Sequence, residues 1–412
     1  ISMPSNDPSS VAVLACVSLC TGEGAHSART NVTSLRTSPS WAAVEAALLR
    51  VQRSACGLEA FLVAQAGVHA APSSPAFTTI LNLLNADRWR AAGHAPRLSI
   101  GHSIGEVAAA YAAGILSVNE ALATAYALGL VGSQLTGAMV HARLTRDVVS
   151  AWSDERLCIA AVNGIASQAP PLLSVTLCGP PEHVEAWLAV HGDARRLALP
   201  HPWHHPMYHD VPSGRRAELP SLAESYAPAM ASVTGATTML SARGAVRRLD
   251  ATYWREWLTT PVDFLAALQC AAAQHLGAVG CYLLETGAHD ALTPVAAATL
   301  DSRGVHVFGS AASMRREQPD GFWQAQRMQL EANLTAKAEC TRPQPARPQP
   351  AANELIPRLR SLLATSFRIH DDVSSDAPLM QSGLESEDVP SLVQQINAAF
   401  DLQLPATFLF ER

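Results

Sequence analysis

The chain has 412 residues, 48% of them hydrophobic and only 16% charged, with a formal net charge of −6. That length leaves room for roughly two or three domains, and the apolar share can fill at least one large core. The acidic balance and the lack of any Lys/Arg run exclude nucleic acid as a partner. No apolar stretch reaches the ~18–20 residues that a membrane helix requires.

The elements alternate from the start. "VAVLACVSLC" (11–20) reads as a buried strand and not as a signal-peptide core, because nothing basic precedes it and "TGEGAH" is no cleavage site. "WAAVEAALLRVQ" is helical, "PRLSIGHS" is strand-like and "GEVAAAYAAG" is helical again, the alternation of an α/β body. From 137 to 200 the order becomes β-α-β-β-α-β: "GAMVHARL", "RDVVSAWS", "LCIAAVNG", "LLSVTLCG", "PEHVEAWLAVH", "ARRLALP". This is the ferredoxin-like pattern, read here as a structural insert in the larger body. "TRPQPARPQPAAN" (341–353) carries a tandem repeat whose prolines favour an extended spacer. The expected domains are a body at 10–318, a Pro-rich linker at 319–353 and a small helical domain at 354–412. The eight cysteines form no C-x-x-C pair and no Cys/His cluster. No metal site or disulfide framework is expected, and the chain is assigned to a reducing interior, cytoplasmic or organellar and not secreted. It opens on Ile1 and not on Met, which reads as a fragment.

Gly101-His102-Ser103-Ile104-Gly105 fits the G-x-S-x-G elbow. A sharp strand-to-helix turn tolerates only glycine on either side and pushes the serine hydroxyl outwards. The helix behind it aims N–H groups at the same spot, where an oxyanion would be held. Such a serine needs a base. "HPWHHPMYH" contains His201, His204, His205 and His209, with His191 upstream. A His-rich loop is as readily solvated surface or a weak metal site, and composition alone leaves that open.

Six motifs in order over 11–316 resemble the malonyl-CoA:carrier-protein transacylase type of acyltransferase domain in polyketide and fatty acid synthases. "CTGEGAH" looks like its opening Gly-Gln-Gly motif, with Glu23 in the glutamine's place. "GHSIGEVAAAYAAGILSVNEAL" is similar to the nucleophile segment, and "AAVNGIAS" with "VTLCGPPEHVEAWL" to the Asn-Gly segment. "HPWHHP" looks like the specificity motif ending in the catalytic histidine. "YWREWLTTPVDFLAAL" and "LLETGAHDAL" match two late signatures. The resemblance implies an α/β-hydrolase-like fold, Ser103 as nucleophile and His204 as base. The N–H groups of Glu23 and Ile104 would form the oxyanion hole, with His102 and Asn163 in support. It further implies acyl-CoA as substrate and ping-pong transfer to a carrier phosphopantetheine.

Three residues depart from the family. Leu128 stands where carboxylate-using members keep an arginine, so a malonyl carboxylate would be buried unpaired, at roughly 3–5 kcal/mol. Nearby Arg143 or Arg146 would replace it only if the fold bent them inwards. Trp203 is expected to narrow the acyl pocket that it shares with Leu128. Glu23 sets a carboxylate beside the oxyanion hole and is expected to weaken it. These changes favour a non-malonyl acyl group.

The tail "DAPLMQSGLESEDVPSLVQQINAAFDLQLPATFLFE" resembles an acyl carrier protein, with nine acidic residues against four arginines from 351 onwards. Ser386 takes the position that carries 4'-phosphopantetheine. Glu387 and Pro390 disturb the match, and the last carrier helix has no counterpart, which reads as truncation. The implied partners are acyl-CoA, a carrier in cis or in trans, and a ketosynthase of a larger synthase. Two other readings share the same residues: an acyl-thioesterase, if water enters, and a degenerate scaffold that only docks carriers.

Overall fold

The computed structural model describes residues 14–52, 56–209, 237–241, 244–246, 249–276, 280–316, 318–319, 321–341, 357, 359–361, 363–364 and 389–400. The chain folds as two compact units, 1–337 and 338–412.

The first unit is built on two sheets. Strand β1 (Ala15–Cys20) leads through helices α1 (Trp41–Gln52), α2 (Leu58–Gln65) and α3 (Ser73–Ala91) to β2 (Leu98–Gly101). Helices α4 (Gly105–Ala112) and α5 (Val118–Gly132) follow. Ser117 and Glu120 start α5 with a capping box, in which the Ser117 hydroxyl accepts from Glu120 N and the carboxylate accepts from Ser117 N. The chain then enters β3 (Ala138–Thr145), α6 (Arg146–Ser150), β4 (Cys158–Gln168), β5 (Pro171–Gly179), α7 (Pro181–Leu188) and β6 (Arg195–Arg196). It returns through β7 (Thr238–Ser241), β8 (Gly244–Val246), α8 (Ala251–Thr259), β9 (Val262–Asp263), α9 (Phe264–Ala271), β10 (Cys281–Glu285), α10 (Thr293–Asp301), β11 (Val307–Ala312) and α11 (Phe322–Thr341).

The larger sheet runs β11-β10-β1-β2-β7-β8 and is parallel except for the β7–β8 hairpin. Strands β1, β2 and β10 are buried along their whole length, as central parallel strands covered on both faces must be. Register sets Cys20 beside Gly101, so the loops leaving β1 and β2 emerge together at the carboxyl edge. That edge is where parallel sheets hold their ligands. The second sheet runs β6-β3-β5-β4-β9, antiparallel from β6 to β4, and β9 joins it in parallel. Residues 138–196 thus follow the β-α-β-β-α-β order.

The segment expected as linker from 319 differs. Residues 322–341 form α11, whose Leu330 is buried in a cluster with Cys16, Trp89 and Tyr282, with Trp323 and Leu334 packed against it. These three apolar residues share a helix face, so burial against the sheet overrides the pull of the prolines that begin at 343. In the second unit, helix α12 (Val389–Phe400) buries Leu392, Val393 and Ile396. Ser386 lies outside the described residues. No described helix is long and apolar enough to cross a membrane.

Candidate active site

The turn after β2 is built by steric necessity. A Cβ on Gly101 would lie 2.3 Å from the Cα of Glu106, and one on Gly105 would lie 2.0 Å from the carbonyl oxygen of Cys20. Side chains at either place would overlap backbone. Ser103 between them has φ +54°, and His204 has φ +63°; among the described residues these are the two non-glycines with positive φ. Such a conformation is uncommon outside glycine and concentrates at functional sites. The chain holds two residues in it, and they touch.

Ser103 Oγ lies 2.8 Å from His204 Nε2, and His204 Nδ1 lies 2.7 Å from the carbonyl oxygen of Trp257. A carbonyl only accepts, so Nδ1 carries the proton and the bare Nε2 accepts from the serine hydroxyl. Burial holds the His204 pKa down at about 4, against the pull of the Trp257 carbonyl. The imidazole is therefore neutral near pH 7 and ready to take a proton. Trp257 also packs its ring edge-on to the imidazole at 4.5 Å and donates Nε1–H to Ser103 O at 3.3 Å. It holds both partners.

His191, His201 and His205 are engaged elsewhere, and the side chain of His209 lies outside the described residues. His201 donates to Leu135 O and accepts from Ala71 N. His205 accepts from Met207 N, and His191 stacks on Trp187 at 3.9 Å. His102 lies 2.7 Å from Asn163 Oδ1, while Asn163 Nδ2 donates to the hydroxyls of Ser174 and Thr176. Asn163 thus steadies the elbow through His102 and the second sheet. Burial lowers the His102 pKa as well.

The loop after β1 faces Ser103. A Cβ on Gly22 would come within 3.3 Å of Ser103 Cβ, which brings the Glu23 backbone alongside the elbow. In the elbow itself, His102 N donates to Cys20 O, Gly105 N to His102 O and Glu106 N to Ser103 O; the Ile104 N–H stands outside these bonds. Thr21 is held at three atoms. Its N donates to Asn82 Oδ1, its O accepts from Asn82 Nδ2, and its hydroxyl donates to buried Glu285. Glu285 also accepts the N–H groups of Ala291, Leu292 and Thr293.

A family profile described as the acyl transferase domain matches residues 19–339. The chain belongs to the acyl transferase domain family. It is 33% identical over 235 residues to the highly reducing polyketide synthase fogA of Aspergillus ruber, a match covering 52% of this chain and 9% of that one. Erythronolide synthase EryA2 of Saccharopolyspora erythraea is 31% identical over 246 residues, or 57% of this chain and 6% of that one. The chain thus spans less than a tenth of these relatives. Among solved structures, the acyltransferase domain from module 8 of the salinomycin polyketide synthase aligns with TM-score 0.60 and 27% identity over 78% of this chain and 75% of that one. A loading acyltransferase of the avermectin modular polyketide synthase shares the fold, with TM-score 0.61 and 23% identity over 77% of this chain and 99% of that one.

Within this acyl transferase domain, two expectations change. Leu128 and Trp203, read as pocket lining, are core residues at 0% and 2% exposure in one apolar cluster. The Trp203 indole lies over Gly132, where a Cβ would meet it at 1.9 Å. Neither residue lines the cleft of about 640 Å³ that reaches His204 between Trp152–Glu155 and His205–Met207. Glu23, read as a charged carboxylate, is pushed up to about 8 by burial, with the nearby Ser74 hydroxyl offsetting part of the rise. It is neutral near pH 7, so this loop sets no carboxylate charge there. Arg143 and Arg146 are exposed, so neither supplies a buried cation. Sequence reasoning missed Trp257, Ser74, Asn82 and Glu285 as site residues. Trp257 and Glu285 stood inside the two late signatures, but nothing local told their roles.

Proposed function

We propose that this acyl transferase domain is a transacylase of a polyketide or fatty acid synthase. It would move an uncharged acyl group from acyl-CoA, through an ester on Ser103, to the phosphopantetheine thiol of an acyl carrier protein. The observation that carries this is the 2.8 Å contact from Ser103 Oγ to His204 Nε2, with Nδ1 held by a backbone carbonyl. His204 takes the hydroxyl proton as Oγ attacks the thioester carbon, and the tetrahedral oxyanion faces the N–H groups of Glu23 and Ile104. The C–S bond breaks, and the leaving thiolate takes the proton from His204. The carrier thiol then reverses the sequence and frees Ser103. An intact Ser103–His204 contact weighs against a scaffold without activity.

Preference for an uncharged group rests on the missing arginine: Leu128 stands at its position as part of the apolar core, and Arg143 and Arg146 are exposed. The finer assignments are also ours: an α/β-hydrolase-like body, a ferredoxin-like insert over 137–200, and a carrier-like tail bearing 4'-phosphopantetheine on Ser386. The buried apolar face of α12, which starts just after Ser386, supports the last.

Incubation with separate acyl-CoAs, followed by intact-protein mass, tests the reading. Ser103 should gain acetyl roughly thirtyfold faster than malonyl, the equivalent of ~2 kcal/mol, and Ser103→Ala should gain nothing. Equal malonyl loading would refute the preference. Release of the acyl group to water with none reaching a carrier would make the protein a thioesterase.

A further inference from the structure

Helix α8 carries two side chains that bear on the Ser103–His204 pair. Tyr253 and Trp257 stand four residues apart, on one face. The Trp257 carbonyl holds His204 Nδ1, and its indole N–H reaches Ser103 O at 3.3 Å. The Tyr253 hydroxyl donates to Oε2 of Glu106 in the first turn of α4, and Glu106 N donates to Ser103 O. These bonds close a ring. It runs from Ser103 to His204, to Trp257, back one turn of α8 to Tyr253, then to Glu106 and to Ser103 again. Its long-range links join residues 101, 53 and 147 positions apart, so no local preference sets them. Packing does not fill the space between α8 and the elbow: Gly101, Glu106, His204, Tyr253 and Trp257 all border a cavity of about 70 Å³. A void forfeits the contacts that would hold its walls. The Tyr253–Glu106 bond thus spans a gap that apolar packing leaves open.

We infer, on the acyl-transfer reading above, that Tyr253 is a positioning residue for the Ser103–His204 pair, anchored by Glu106 and acting through Trp257. Its role lies in placement, not in proton transfer. The bond to Glu106 sets how far α8 stands from the elbow, and α8 carries the carbonyl that aims the imidazole. The hydroxyl is the part that matters. The ring of Tyr253 packs on the apolar cluster and edge-on to Trp254 at 5.1 Å, contacts that Tyr253→Phe keeps. Without the hydroxyl, α8 shifts against α4, and Nε2 of His204 leaves its line to Ser103 Oγ. A misplacement of about 1 Å at reacting atoms costs about a hundredfold in rate, and the loss of one tie gives part of that.

The test is single-turnover acetylation of Ser103, read by intact mass over a range of acetyl-CoA concentrations. The rate at saturation and the half-saturating concentration then separate. Tyr253→Phe and Glu106→Leu should each lower the saturated rate about tenfold or more, with the half-saturating concentration kept within about twofold. The double variant should be no slower than the slower single one, because both cut the same bond. Glu106→Gln keeps an acceptor for the hydroxyl and should retain most of the wild-type rate. Three results overturn the assignment while acyl transfer stands: an unchanged saturated rate in Tyr253→Phe, single effects that multiply in the double variant, or Glu106→Gln as slow as Glu106→Leu. Should Tyr253→Phe not fold, the ratio between the two Glu106 variants decides alone. If wild-type Ser103 takes no acyl group from any acyl-CoA, both readings fall.

Discussion

Raising the pH from 7 to 9 takes the Glu23 carboxyl, with its pKa of about 8, from about nine-tenths protonated to about one-tenth. The ionised group would stand beside the place where negative charge develops on the attacked carbonyl. Two unit charges about 6 Å apart, at an effective dielectric constant of about 20, repel by ~3 kcal/mol. That slows the ionised form by roughly a hundredfold, so the observed rate follows the protonated fraction and falls about tenfold. The neighbouring histidines do not confuse the profile: burial lowers the pKa of both His204 and His102, and both stay neutral over this range. The Tyr208 phenol is pushed upwards by burial and by Glu23 itself. Glu23→Gln keeps a neutral group of the same shape and should show a flat profile from pH 7 to 9. The assay is single-turnover acetylation of Ser103 by intact mass, with Ser103→Ala correcting for thioester hydrolysis. A flat wild-type profile, or an equal fall in Glu23→Gln, refutes the reasoning.

On the acid side, His204 at about 4 should let acylation at pH 5 keep more than half its pH 7 rate. A base titrating near the ordinary histidine value of about 6.5 would have lost most of its rate there, and that result would show an exposed imidazole. Gly105→Ala would place a methyl 2.0 Å from Cys20 O, with no side chain to yield. Both the acylation rate and the melting temperature should drop, the latter by more than ~5 °C; an unchanged melting curve would mean the elbow is looser than described.

The elbow was legible because its cause is local. Gly101 and Gly105 are excluded from bearing side chains by Glu106 and by the end of the neighbouring strand, so the constraint sits within a five-residue motif. Strand β1 and helices α1 and α4 were legible for the same reason, since periodicity is a property of short windows. The histidine that meets Ser103 was legible only through the order of motifs, because four histidines in nine residues look alike to composition. Which one meets the serine depends on where Leu135, Ala71, Met207 and Trp257 offer backbone partners. Helix α11 was lost for a related reason: its apolar residues are sparse, and only the surface formed by Cys16, Trp89 and Tyr282 gives them something to cover.

By itself, the sequence determined an α/β chain with a serine at a strand-to-helix turn and a leucine where a carboxylate-binding arginine would stand. Tertiary structure decided what those residues experience. Thr21 is held by Asn82 and by Glu285, 61 and 264 positions away, and the Glu23 carboxyl keeps its proton because α3 closes over it. Trp203 became core instead of pocket wall once α5 offered it Gly132. Desolvation and packing sum over neighbours distant in sequence, so charge state and cavity shape belong to the assembled fold.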